Sequence, residues 1–117
     1  MTVSQVITAG AATKLAVVTQ PLGPATNGGV LASQPVVRIQ DRYGNTVSST
    51  ATVTAQVETG TGSWSPGGTT SIAAVAGTAT FTNLTATRLA AGTISGARMR
   101  FTCGSLTLVV SNTFTIP

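Results

Sequence analysis

The chain is expected to fold as an all-β antiparallel sandwich of about seven strands with no disulfide. Two stretches and the composition lead there. From Gln34 to Gln40 apolar and polar residues alternate, and the chain then runs into a turn built on Asp41, Gly44 and Asn45. A second alternating stretch, Ala51 to Glu58, follows at once. That is the pattern of antiparallel strands with one face buried. Apolar residues make up 42% of the chain and charged residues only 7%. Such a chain is too apolar for disorder and too poor in charge for long solvated helices. Its many threonines suit a half-buried pleated surface, with the methyl packed and the hydroxyl facing water. A length of 117 residues makes one domain. A chain of that size buries roughly 65% of its unfolded surface and needs no metal to fold. Cys103 is the only cysteine, so no internal bridge forms and a buried, inert thiol is expected.

Lys14 to Gln20 reads as the first strand, with Leu15 and Val17 inward. Pro21 ends it, and Pro24, Asn27, Gly28 and Gly29 make a turn-rich connection. The second strand is Pro35 to Gln40, with Val37 and Ile39 on the buried face. Proline suits its first position, where no ladder N–H is lost. The third, Ala51 to Glu58, turns Val53, Ala55 and Val57 inward. Thr59 to Gly68 reads as a long loop or wide hairpin in which Trp64 lies as a lid over one end of the core. Ser71 to Val75 and Gly77 to Thr82 read as strands four and five, a hairpin around Ala76-Gly77 with Ala79 and Phe81 inward. A less regular segment follows from Asn83 to Gly96, where Leu84 and Leu89 plug the sandwich edge. Ala97, Met99 and Phe101 then alternate inward, with Arg98 and Arg100 outward. In the last strand Leu106, Leu108, Val110, Phe114 and Ile116 share one parity, and Asn112 marks a bulge or bend. The expected core is Val37, Ile39, Val53, Val57, Phe81, Met99, Leu106 and Phe114.

These residues, taken in order, resemble the bacterial and phage immunoglobulin-like repeats of the invasin type, found in large surface proteins and phage structural proteins. The resemblance is carried by Lys14 to Pro21, Gln34 to Asp41 with Gly44-Asn45, Thr59 to Gly62, Gly77 to Leu84, and Ser111 to Ile116. It spans residues 13 to 116. It implies an immunoglobulin-like antiparallel β-sandwich and a stalk, spacer, decoration or adhesive role without catalysis. One departure is visible: Ala91-Gly92-Thr93-Ile94 is followed by Ser95-Gly96-Ala97-Arg98, a longer lead-in to the sixth strand than the family's pattern.

The functional residues are few. There is no histidine, the usual general base near neutral pH, and Asp41 and Glu58 are the only acidic side chains. Catalysis is not expected, nor a metal centre, which needs ligand clusters this chain lacks. The paired glycines Gly60/Gly62 and Gly67/Gly68 open no helix, so no cofactor cradle is expected. The net charge of +4 comes from Lys14, Arg38, Arg42, Arg88, Arg98 and Arg100, spread along the chain. With few aromatics to stack bases, nucleic acid is not the expected partner. No apolar run is long enough to span a membrane.

The first residues lack a signal peptide's basic and apolar regions. Two settings follow. One is a virion surface, as a capsid or tail decoration protein. The other is the bacterial cell surface, as one repeat of a larger extracellular protein. Residues 1–12 read as an arm or linker and 13–117 as the sandwich domain. The expected partners are a capsid or tail protein, neighbouring immunoglobulin-like domains, or a second copy. Contact is expected through the arm and the face bearing Arg98 and Arg100. The edge from Leu15 to Thr19 pairs with the last strand, whose outer face carries Val109. Trp64 and Tyr43 are candidate stacking platforms for a cell-surface glycan, the third class of partner.

Overall fold

The structure is a computed structural model and describes residues 10–89 and 91–117. Strands and no helices make up the regular structure of the described residues. In chain order they are β1 (Lys14–Thr19), β2 (Leu22–Pro24), β3 (Leu31–Ser33) and β4 (Val36–Gln40). There follow β5 (Thr52–Thr59), β6 (Trp64–Gly67), β7 (Ser71–Ala73) and β8 (Thr78–Thr80). The last are β9 (Thr85–Arg88), β10 (Ile94–Thr102), β11 (Val109–Val110) and β12 (Phe114–Ile116).

One sheet has the order β1–β4–β8 and another β11–β10–β5–β7, with β12 also paired to β10. Two short pairs, β2–β3 and β6–β9, complete the set. A Val30–Thr85 bridge and the Leu31 N–H to Leu84 C=O bond (2.9 Å) tie these pairs together. The chain passes from β3 to β4 through Gln34-Pro35 alone, so the short pairs continue the first sheet. Phe81, just past β8, meets Phe101 of β10 with ring centroids 5.7 Å apart. The fold is therefore all-β and sandwich-like, with several sheets packed around one core.

Strand breaks leave backbone groups without ladder partners, and side chains take their place. Gln34 sits where both β3–β4 and β8–β9 are interrupted. Its Oε1 accepts from Leu84 N–H at 2.9 Å, and its Nε2 donates to Leu84 C=O at 3.1 Å and to Leu31 C=O at 3.3 Å. Ser111, buried between β11 and β12, donates its N–H to Met99 C=O at 2.8 Å and accepts from Met99 N–H through Oγ at 3.0 Å. The bend expected near Asn112 is thus a hydroxyl standing in for a carbonyl.

The longer lead-in to β10 is also resolved by the pairing. Ile94 faces Ile116 and Ala97 faces Phe114, so β10 carries one extra residue there. Gly96 takes φ 64° within that bulge, a conformation suited to glycine. Thr59 Oγ1 donates to Gly96 C=O at 2.9 Å and holds it in place.

The core contains Val37, Ile39, Val53, Phe81, Met99 and Phe114 as expected, together with Leu84, Ala97 and Phe101. Several expectations are corrected. Val57 and Leu106 are only half-buried. Leu106 lies in a turn closed by its N–H to Cys103 C=O (3.0 Å), so the strand expected from Leu106 begins only at Val109. Leu108 is exposed for the same reason, and Val109 packs against the core instead of lying on an outer face. Leu89 is exposed, while Leu84 alone fills the edge. Trp64 to Gly67 is a strand and not loop, and Thr85 to Arg88 is a strand within the segment read as irregular. The Ala76-Gly77 turn exists, with reciprocal Val75–Thr78 bonds, but β7 and β8 leave it for opposite sheets. Of the expected arm, residues 1–9 lie outside the described residues. Gly10 is tied to Asp41 (3.0 Å), and Ala12 packs on the core.

The chain enters and leaves the sandwich at opposite ends. Lys14 pairs with Gln40 at the end where the 41–51 loop leads into β5, and the final strand pairs Ile116 with Ile94 at the other. Near the entry, β1 touches the last segment in parallel, with Leu15 N–H to Thr107 C=O at 3.2 Å and Thr107 N–H to Thr13 C=O at 3.0 Å.

Two stability outcomes follow. Phe81→Ala, at a side chain 1% exposed, is expected to lower unfolding free energy by about 3–5 kcal/mol in urea denaturation; a loss below about 1 kcal/mol contradicts the packing. Gly77 has φ 82°, and a Cβ there would lie 2.0 Å from Val47 O. Gly44 has φ 86° with open space around it. Gly44→Ala should therefore cost about 1–2 kcal/mol from backbone conformation alone, and Gly77→Ala roughly 2–5 kcal/mol. Equal losses at the two sites would show that the Val47 contact is relieved.

Candidate functional site

The densest polar cluster is the turn after β4. Asp41 is 1% exposed. Its Oδ1 accepts from the N–H groups of Tyr43 and Asn45, both at 2.9 Å. Its Oδ2 accepts from Gly10 N–H at 3.0 Å and from the Asn45 side-chain amide at 3.1 Å. The backbone closes the same turn through Asp41 N–H to Asn45 C=O (2.9 Å) and Gly44 N–H to Asp41 C=O (3.1 Å). An aspartate at this position bonds the backbone ahead of it, which is why such residues begin turns. Here it also reaches back 31 residues to fix the point where the chain enters.

These donors favour the ionised carboxylate. The Gly10 N–H is the largest influence, burial works against it, and Asn45 and Tyr43 add to the lowering, which brings the pKa from 3.8 to about 2. Every lone-pair direction is engaged, and Asn45 presents its amide nitrogen, not its oxygen, to the carboxylate. The pair is a structural knot and offers no cation ligands. Among the described residues no group of three His, Cys, Asp or Glu could hold a metal.

Glu58 occupies the other sheet. Arg98 pairs with Thr59 and Met99 with Val57, so Glu58 is the extra residue of a bulge in β5. Its Oε1 lies 3.1 Å from Arg100 Nε. The contact is an ion pair without the geometry of a hydrogen bond, and both side chains are about a third exposed, so its contribution to stability is small. Arg98 is exposed on the same outer face. The face expected to carry two free arginines thus carries one, because Arg100 is already matched by Glu58.

The two candidate stacking residues part company. Trp64 is 3% exposed, donates Nε1–H to Thr59 C=O at 2.9 Å and packs edge-on against Phe114, 5.5 Å between centroids at 77°. Its ring offers no face to a sugar or a partner, which corrects its place among the interaction residues. Tyr43 is 73% exposed at the other end of the sandwich. The Arg42 guanidinium covers one face of its ring at 4.7 Å and bonds the hydroxyl. Beside them lies a hollow of about 400 Å³ lined by Gly10, Ala11, Thr13, Asp41, Arg42 and Tyr43. Trp64, Tyr43 and the two arginines do not form a common site.

Cys103 is buried, and desolvation raises its pKa above 9.0, the direction that suppresses thiolate chemistry. No helix of the described residues is long and apolar enough to cross a membrane. The chain matches no family model, and neither the curated proteins nor the solved structures give a match.

Residue spacing marks Asp41 as a local turn former, and no spacing rule reports its link to Gly10. The pairing of Glu58 with Arg100 depends on strand register, which spacing does not report either. The Asp41 knot has a readable acid signature. A carboxyl whose pKa is depressed by folding adds stability above its unfolded value, and that stability is lost as the pH falls toward the folded value. The urea midpoint should fall between about pH 4 and pH 2. In Asp41→Asn most of that slope should vanish, since Glu58 is the only other side-chain carboxyl. An unchanged acid slope in the variant would contradict the hydrogen-bond assignment.

Proposed function

We propose that the chain is a non-enzymatic structural and interaction module with an immunoglobulin-like sandwich, carried on the surface of a phage virion as a capsid or tail decoration protein. The observation that carries the module reading is the commitment of its reactive groups to the fold. Asp41 holds four donors, Glu58 faces Arg100, and Cys103 is buried. Antiparallel sheets packed around one core and the parallel contact between β1 and Thr107 support the immunoglobulin-like arrangement. The virion setting rests on the resemblance of residues 13 to 116 to phage structural modules. Its partners are then the proteins of the particle, and it uses no cofactor.

A second reading has its own support. Because the chain enters and leaves at opposite ends of the sandwich, copies joined in series would extend as a stalk, as in a repeat of a large bacterial surface protein. Mass spectrometry of purified particles from the host that encodes the chain decides the first reading. The expected result is the chain at a fixed ratio to the major capsid or tail protein. Its absence from every particle fraction, with a reading frame that continues into a similar repeat, would replace the first reading with the second.

A further inference from the structure

The outward face of the β1–β4–β8 sheet differs from the rest of the surface. Along β1 and β4 the inward residues Leu15, Val37 and Ile39 are buried. The alternate positions face out. Register places Lys14 opposite Gln40, Ala16 opposite Arg38, and Arg38 opposite Thr78. Lys14 and Arg38 are therefore diagonal neighbours on one face, with Cα atoms roughly 7–8 Å apart. Ala16 and Val36 lie on the same face, both half-buried, and Val18 turns to solvent at the bulge in β1.

No acidic side chain among the described residues pairs with these two cations. Among the described residues neither cation has an ion-pair or hydrogen-bond partner. The only two acidic side chains of the whole sequence are Asp41 and Glu58. Asp41 is buried in its turn, and Glu58 lies on the opposite sheet beside Arg100. Residues 1–9 contain no acid, so they cannot supply one. The two sheets thus differ: the Arg98–Arg100 side sets one carboxylate, Glu58, against its two arginines, and the Lys14–Arg38 side sets none against its two cations.

We infer that this face docks an acidic protein surface, one that sets two carboxylates against Lys14 and Arg38 around an apolar contact at Ala16 and Val36. A second copy of this chain fits poorly, because its only two acidic side chains, Asp41 and Glu58, are already engaged by Asn45 and by Arg100. A nucleic acid fits poorly. Two phosphate contacts give only weak binding, and the face has no aromatic ring for a base to stack on. The mixture of two cations with small apolar side chains matches a protein interface, where charge steers encounter and apolar contact holds it. The inference rests on reading the chain as an interaction module, and it names the partner's chemistry.

The test titrates the isotope-labelled full chain with a Glu-Thr-Glu-Thr-Glu-Thr peptide, whose alternate carboxylates match the diagonal spacing. A Gln-for-Glu version of the peptide and a duplex of roughly a dozen base pairs serve as comparisons. The expected result is amide shifts centred on Lys14, Ala16, Val36 and Arg38 with the acidic peptide alone. Binding should weaken at least about tenfold in Lys14→Gln with Arg38→Gln, whose spectrum should otherwise be that of the folded chain because Arg38 is exposed and Lys14 only half-buried. Shifts centred elsewhere, no shifts, or stronger binding of the duplex would overturn the inference. In particles, Lys14→Glu with Arg38→Glu should lower the copy number, while Thr52→Glu on the opposite sheet should not. Normal incorporation of the double variant overturns this inference and leaves the virion reading standing. A wild-type chain missing from particles overturns the virion reading, and the peptide titration still decides the face.

Discussion

The amide of Gln34 is the fixture on which the first sheet depends. Two neighbouring strands break at the same level there, between β3 and β4 and between β8 and β9. Such a break would strand the Leu84 N–H inside the protein, while the Leu84 C=O still accepts from Leu31 N–H. One side chain accepts from the first and donates to the second, reproducing across 50 residues the double bond of a strand pair. An unmatched buried backbone group costs about 1–3 kcal/mol, so the sheet bends at this level without losing its continuity. Ser111 does the same for Met99 in the opposite sheet. In a chain with only eight charged residues, counting six basic and two acidic, uncharged side chains do most of this repair.

The core has a corresponding economy. It is lined largely by valine, alanine and isoleucine, with Phe81 and Phe101 meeting at its centre and Trp64 against Phe114 near one end. Aromatic pairs in tilted or edge-on contact add to the burial of their area. Small residues elsewhere let the sheets approach. One such approach lies between β2 and β12, where a Cβ on Gly23 would lie 1.9 Å from Thr115 O. The layers are thus pinned by rings in the middle and by bare backbone at one side.

The strands with a clean two-residue period were legible in the sequence. In β4, β5 and β10 the alternation of buried and exposed side chains is what an antiparallel strand with one wet face requires. The short strands were not. β2 and β6 contain proline and glycine, and β3 lies between Gly29 and Pro35, residues that mark turns when read alone; only their partners make them strands. Even-numbered apolar residues from Leu106 to Ile116 suggested one long strand. The turn at Cys103–Leu106 and the Ser111 interruption divide it, and neither can be seen in a parity count. Charge followed the same rule. Arg98 and Arg100 stood out because they are two residues apart on one strand, whereas Lys14 and Arg38 become neighbours only through the register of two strands.

The parallel contact between β1 and Thr107 has a mechanical meaning. The entering segment runs from Gly10 toward Thr19, and the leaving segment runs the same way toward Pro117. Tension drawn between the two ends of the domain would slide these segments past each other along their length. Leu15 N–H to Thr107 C=O and Thr107 N–H to Thr13 C=O would then be strained together and not peeled one after another. Bonds loaded side by side yield at a higher force than bonds opened in sequence, and forced unfolding is governed by the rate of that first rupture. A domain built this way resists stretching most strongly at the seam between its entering and leaving segments.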